Sequence, residues 1–436
     1  VVLTLLMWVP LLMIEHTVGE RAARRDSVQQ EVAESLAGEL QIWGPVMVVP
    51  YQYSTLETVT VGEEGGRRKE ERWVKYSSAL QVIPSKLHVS SQLVPAVLTR
   101  GIFKTVTYQT ETVLEGDFTF NSQLPAHVQN VEWQNASISI GLNESRGLTA
   151  SPELEWNQAK INFEPGVSTR LFKQGVQADL GKLNTDSEQT YHFKVILSLR
   201  GTKRFYVAPI ARQFQFDLKS DWPHPSFTGH FLPVSREVTE TGFSASWRLT
   251  DFATHARLLE NCSANSDTCG LKISEDTFGV ALIDPVDNYL QAERAVKYGF
   301  LFIVLTFSAV FLTETLRKQA VHPIQYLFVG VALALFFLLL LALSEHLTFL
   351  TAYCIASVAC VTLIGFYMSH VLAQRIAGGF AGALLAVLYG VMYQLLQSED
   401  MALLLGSSLL FGLLALVMVV TRRVNWFEIT ALNPVN

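Results

Sequence analysis

Ile324–Leu343 reads IQYLFVGVALALFFLLLLAL, with no charged side chain anywhere in it. A helix of that length rises about 30 Å at 1.5 Å per residue, which matches the hydrocarbon thickness of a bilayer. Apolar and polar positions do not alternate along it, so a half-buried strand is excluded. Four further apolar stretches of spanning length flank it: Tyr298–Leu316, Leu347–Ser369, Ile376–Gln397 and Met401–Thr421. All five are read as transmembrane helices. Glu314 is the only acid inside them. It sits in the last turn of its stretch, where the roughly 2.5–3.5 kcal/mol penalty of a central charge is mostly avoided. The links Ser344–His346 and Ser398–Asp400 leave room only for hairpins, so consecutive helices are antiparallel neighbours.

Arg317, Lys318, Arg375, Arg422 and Arg423 gather on one side of these stretches; Glu345 with His346 and Glu399 with Asp400 lie on the other. Basic loops stay in the cytoplasm. The tail 422–436 is therefore expected inside and the chain before Tyr298 outside. Val1–Ile14 is apolar but spans only about 21 Å. It is read as a first transmembrane helix (1–14) whose beginning is missing, with a cytoplasmic amino terminus and six spans in all. A cleaved signal peptide competes, although no small-x-small site follows it. A helical connector (15–40) is expected next, because Val28, Val32, Leu36 and Leu40 recur every fourth residue.

Roughly 280 residues then separate the first and second spans, far more than a loop needs. Apolar residues alternate there in Tyr191, Phe193, Val195, Leu197 and Leu199, in Phe214, Phe216 and Leu218, and in Phe243, Ala245, Trp247 and Leu249. Each run reads as a strand with one buried face. Turn signals punctuate them at Gly44-Pro45, Gly65-Gly66, Gly141 and Pro165-Gly166. The expectation is an α+β membrane protein: a large all-β, sandwich-like periplasmic domain (41–295), one sandwich or two, inserted between the first and second helices of a six-helix bundle whose last five helices occupy 296–421. Arg100-Gly101 before Gly116-Asp117-Phe118, and Arg200-Gly201 before Gly229-His230-Phe231, also invite a reading as an internal repeat, against coincidence among β-rich segments.

The net charge of -6 argues against nucleic acid as a partner, since the densest basic cluster, Arg67–Lys69, is flanked by acids. Cys262 and Cys269 fall in the expected external domain, where an oxidising compartment favours a disulfide; a metal site is the less favoured alternative, with no His nearby. Cys354 and Cys360 lie within a span and read as small buried apolar residues.

Five motifs stand out: SDWPHPSFTGHFLP at Ser220–Pro233, DPVDNYL at Asp284–Leu290, HPIQY at His322–Tyr326, SEH at Ser344–His346, and Glu399-Asp400 leading into MALLLGSSLLF. Together they resemble the bacterial inner-membrane CreD family, cell-envelope integrity proteins associated with colicin tolerance, over Val28 to Trp426. The resemblance implies a Gram-negative inner membrane, a periplasmic domain and a part in envelope stress. It supplies no catalytic residues.

The chain contains no H-E-x-x-H, G-x-S-x-G or Walker motif, so no enzyme activity and no cofactor are expected. Asp221, Trp222, His224, Phe227 and His230 form a candidate binding surface. Asp221, His224 and His230 would ligate a metal only if strands brought them together, and the favoured reading has Trp222 and Phe227 filling a core or a docking surface. Glu314 precedes Arg317 and Lys318 by three and four residues, which favours a local ion pair over a polar pathway through the bundle. Glu345, His346, Gln394, Glu399 and Asp400 would line the outer mouth of such a path, or simply remain wet. Gly378, Gly379 and Gly382 carry a G-x-x-x-G spacing, with Gly390 beyond, so tight helix packing is expected there. The leading expectation is a non-enzymatic envelope protein whose β-domain binds an envelope protein, lipid or glycan. A small-molecule or lipid permease is the alternative, and the oligomeric state stays open.

Overall fold

The computed structural model describes residues 2–61, 68–120, 129–183, 189–261, 267–283, 288–317, 321–371, 375–397 and 402–422. The chain forms two compact units: a helical one, Val1–Asp26 with Val286–Asn436, and a β one, Ser27–Pro285.

Strands in chain order are β1 Leu40–Val61, β2 Arg68–Val82, β3 Lys86–Arg100, β4 Phe103–Phe120, β5 Gln129–Val131, β6 Ala136–Leu142, β7 Glu153–Trp156 and β8 Ala159–Asn162. They continue as β9 Glu164–Pro165, β10 Gly175–Gly181, β11 Gln189–Thr202, β12 Arg204–Val207, β13 Gln213–Ser220, β14 Pro225–Gly229, β15 Ser235–Thr239, β16 Gly242–Thr250 and β17 Phe278–Leu282. One sheet runs β14-β17-β12-β1-β6-β10-β9, with β2 and β5 also paired to β1; the other runs β15-β16-β13-β3-β4-β11-β7-β8.

The inner faces of both sheets close on one core, so the β unit is a single sandwich. Ile42, Met47, Ile138, Phe205 and Val280 of the first sheet belong to the same buried cluster as Leu87, Leu114, Val195, Phe216 and Trp247 of the second. The three alternating runs seen in the sequence are β11, β13 and β16, and their apolar members point inward except Leu249, which is only partly buried. A smaller cluster lies elsewhere on the first sheet, where Val46, Val48 and Ile83 meet Ala256, Leu259 and Ile273. β1 leaves the sandwich with β2 as a two-stranded ribbon paired from Met47↔Val82 to Val61↔Arg68.

The two Arg-Gly pairs are not equivalent. Arg100-Gly101 makes the turn of the β3–β4 hairpin, while Arg200-Gly201 lies inside β11 opposite Gln109 and Tyr108. The two segments are therefore not copies of one repeated unit.

Helices in chain order are α1 Val2–Leu6, α2 Trp8–Leu36, α3 Asp267–Glu275, α4 Asn288–Lys297, α5 Gly299–Arg317, α6 Pro323–Ser344, α7 Phe349–Val371, α8 Arg375–Gln397 and α9 Ala402–Thr421. Among the described residues α6 and α7 are long and apolar enough to cross a membrane. A third such span exists if α4 and the first part of α5, bent by 45° at their junction, count as one. Phe336 packs edge-on against Tyr353 and Tyr389, and Phe302 against Tyr389, inside the helical unit.

The expected connector is one continuous helix with the residues before it, since α2 has no break at Ile14. It ends earlier than the every-fourth-residue pattern implied. Gly38 adopts φ +66°, its N–H donates to the Ala33 carbonyl, and Leu40 already belongs to β1. A left-handed glycine stops a helix because it turns the chain where a Cβ would be strained.

Candidate functional site

The alternation that buries one face of the second sheet exports the intervening side chains to the other, and the strand order places them in rows. One row crosses six strands: Arg248, Gln215, His88, Glu115, Lys194 and Glu155, each directly opposite the next. The next row runs Thr250, Gln213, Lys86, Asp117 and His192. Asn157 continues it, because its side-chain oxygen accepts the His192 N–H and its own N–H donates to the His192 carbonyl. These two rows line an open trough of about 1130 Å³. A second hollow of about 830 Å³ touches Ser90, Gln92, Lys219 and Arg236 on the same strands and on β15.

Polar contacts from Asp217, one row beyond the trough and on the second hollow, hold His88 and Gln215 in place. Asp217 Oδ2 sits 2.7 Å from His88 Nε2 and accepts from Gln215 Nε2 at 2.7 Å. Burial raises its pKa, but hydrogen bonds from Ser246, Gln215 and His88 outweigh that and hold the carboxyl below its ordinary range. His88 also approaches Glu115 at 3.4 Å, and His192 Nδ1 meets Asp117 Oδ1. Gly116, between Glu115 and Asp117, allows a close approach: a Cβ there would lie 2.0 Å from the Lys86 carbonyl oxygen.

The residues singled out in the sequence lie on and around β14, with Trp222 and Phe227 packed against the core. Trp222 donates from Nε1 to the Ile283 carbonyl at 2.8 Å, and Phe227 stands edge-on to Phe243 and Trp247. Asp221, His224 and His230 are exposed, and no three His, Cys, Asp or Glu among the described residues gather as a metal site. The motif builds β14, which pairs with β17.

In the helical unit, two motifs meet. Arg21 forms a two-pronged pair with Glu345, Nε to Oε1 and Nη2 to Oε2, both at 2.6 Å. Tyr289 donates its hydroxyl to Glu345, and Asn288 donates to the Ser344 carbonyl at 2.6 Å. Glu345 is thus a bracket between α2, α4 and the α6–α7 turn, whereas His346 is exposed. HPIQY is a capping box: His322 Nδ1 accepts from the Ile324 N–H, and Gln325 Oε1 accepts from the His322 N–H. Glu314 accepts from the Tyr326 hydroxyl at 2.7 Å and from the Val321 N–H at 3.1 Å, tying α5 to the start of α6. The cavity of about 660 Å³ beside it is walled mainly by Leu3, Leu5, Phe300, Phe307 and Phe311.

Gly379 and Gly382 retain room for a Cβ; one on Gly382 would lie 3.8 Å from Gly365 Cα. Close approaches also occur at other glycines: a Cβ on Gly330 would meet Met7 Sδ at 2.6 Å, and one on Gly299 would meet Leu11 Cδ2 at 3.0 Å. Cys360 is buried near the Ala332 carbonyl, but Cys354 is exposed, contrary to its reading as a buried residue. Cys262, Glu399 and Asp400 lie outside the described residues, as do the side chains of Cys269 and of the Arg317 and Lys318 expected to pair with Glu314.

Residues 1–427 match the family described as inner membrane protein CreD. The chain belongs to the CreD family. The inner membrane protein CreD of Escherichia coli (strain K12) is 35% identical over 428 residues, covering 97% of this chain and 91% of the relative. Among solved structures, an M1 zinc metallopeptidase from Deinococcus radiodurans matches over 38% of each chain at 7% identity and a TM-score of 0.20, a likeness too weak to carry an argument about this CreD-family chain.

Proposed function

We propose that this chain is a non-enzymatic, multi-pass inner-membrane protein that supports cell-envelope integrity under stress by binding an envelope component on the outer face of the second sheet. The trough of paired polar rows carries this reading. It is larger than the neighbouring hollow on the same sheet, and His88 and Gln215 in its lining are held by hydrogen bonds to Asp217 rather than left free to collapse.

Six transmembrane helices with both termini in the cytoplasm would put the β-sandwich in the periplasm. There Cys262 and Cys269 would pair as a disulfide, and the helices would anchor the sandwich or transmit the contact. The basic residues near α5, α8 and α9 support that orientation. A permease is less favoured, because Glu314 is already engaged by Tyr326 and Val321 and the cavity beside it is mostly apolar.

Two measurements test the proposal. A cysteine introduced at Asn157 should react with a membrane-impermeant reagent applied from the periplasmic side, and one at His370 should not. A photo-crosslinking residue at Gln215 should capture an envelope component in living cells, whereas one at exposed Glu240 should not; equal yields at both positions would end the assignment of the trough.

A further inference from the structure

The chain passes between its two units after Asp26 and again after Pro285. α2 runs through the first of these junctions without a break. On the β side it is gripped: Gln29 Nε2 donates to the Lys104 carbonyl at 2.8 Å, Glu31 pairs with Arg100 at 3.0 Å, and Arg146 Nη1 donates to the Glu34 carbonyl at 2.8 Å. Arg100 and Lys104 belong to the β3–β4 hairpin. On the helical side, the residues next to each junction return to one spot. Arg21, just before the first, and Tyr289, just after the second, both bond the Glu345 carboxylate. Asn288 donates to the neighbouring Ser344 carbonyl, and the Arg25 guanidinium lies 5.4 Å over the Tyr289 ring.

Glu345 caps the carboxyl end of α6, and the turn it begins leads into α7 with the His346 and Leu347 N–H groups donating to the Leu343 carbonyl. Both connections to the β unit therefore meet on the link between α6 and α7, each long and apolar enough to cross a membrane. A helix carries a tilt or rotation along its length, because its own hydrogen bonds hold it rigid. Gln29 stands about 12 Å along α2 from Arg21, at 1.5 Å per residue. The bracket cannot follow such a movement gradually: two parallel hydrogen bonds need the guanidinium and the carboxylate coplanar, so they break together. We infer that Glu345 is the point of conformational coupling in this protein, a bracket that is closed while α2 and α4 are seated and that loosens the α6–α7 turn when the β unit shifts either of them. The inference rests on the reading of the helices as transmitting a contact made by the β unit.

The test is hydrogen–deuterium exchange on the full-length protein in nanodiscs, with no ligand added. Gln29→Ala and Arg100→Ala, made together, release the β3–β4 hairpin from α2 and leave every bracket residue in place. They should speed exchange at the His346 and Leu347 amides roughly three- to tenfold, the range expected when a local structure gives up about one hydrogen bond. In a Glu345→Gln background those amides should exchange fast from the outset, and releasing the hairpin should add nothing. Tyr289→Phe, which removes one hydrogen bond and keeps the ring, should fall between the wild type and Glu345→Gln. Exchange that rises at the hairpin and α2 but not at the turn overturns the coupling. So do rises that simply multiply when the substitutions are combined, because independent sites behave that way. An uncoupled turn with Gln215 still crosslinking to an envelope component leaves the binding face standing and removes this inference; a coupled turn without that crosslink removes the binding face and keeps the bracket.

Discussion

The guanidinium of Arg21 grips the carboxylate of Glu345 through two parallel hydrogen bonds of 2.6 Å, although the residues are 324 positions apart. Planar two-pronged pairing is geometry that lysine cannot supply. Glu345 is nearly buried while Arg21 remains 41% exposed, so solvent screens part of the attraction. Arg21→Lys should therefore cost about 1 kcal/mol and Glu345→Ala about 1–2 kcal/mol, read as lowered melting temperatures in detergent. Burial raises the Glu345 pKa, but hydrogen bonds from Arg21 and Tyr289 outweigh it and depress the carboxyl. A depressed carboxylate stabilises the fold above its unfolded value and loses that contribution as pH falls through the folded one. The bracket should consequently loosen only below about pH 4.

Asp217 titrates with the same sign. Its folded pKa is lowered, so its stabilisation is present at neutral pH and disappears on acidification below about pH 4. Asp217→Asn should lower stability near neutrality by about 1 kcal/mol, because a neutral amide replaces the carboxylate opposite His88 and Gln215. It should also flatten the acid limb of the melting curve plotted against pH. An unchanged acid limb would show that Asp217 does not govern it.

Gly330 of α6 is where a side chain would intrude on Met7, at the α1–α2 junction, and on Phe307 of α5. The Met7 thioether can swing away from a new Cβ, but Phe307 Cζ, 2.9 Å from it, is harder to move. Gly330→Ala should cost about 1–2 kcal/mol and Gly330→Leu more, by overpacking. Gly382→Ala, which meets only ordinary neighbours, should change little. Thermal unfolding of the three variants side by side gives the ranking.

Trp247 is fully buried, stacked on Phe216 at 5.1 Å and tilted against Phe278 at 5.5 Å. Trp247→Ala should cost about 3–5 kcal/mol and unfold the sandwich at lower denaturant. Its indole also donates to the Phe231 carbonyl, so Trp247→Phe should lose less, chiefly that hydrogen bond.

Local patterns are enough to find β11, β13 and β16, whose buried faces alternate, and the helices from α5 onward, whose apolar runs are long. The outward partners, Gln213, Gln215, His192, Lys194 and Arg248, stand in those same stretches. Their meaning depends on strand order, and β3 lies beside β13 in parallel although well over a hundred residues separate them. The same gap hides Arg21 from Glu345. Trp222 and Phe227 stand out in the sequence because large aromatic residues crowd a short motif, yet crowding does not distinguish a surface from the packing beneath an edge strand. Gly330 carries no local signal because its partner, Met7, lies far away in the chain.

On its side away from β1, β2 pairs with no strand among the described residues. Its unsatisfied N–H and carbonyl groups would ordinarily invite a neighbouring molecule to add a strand of its own and start a fibre. Glu71, Arg72 and Lys75 project exposed from that strand, so any such addition would have to strip water from fixed charges. Those charges oppose polymerisation along the ribbon's margin, even though Trp73 on the same strand is exposed.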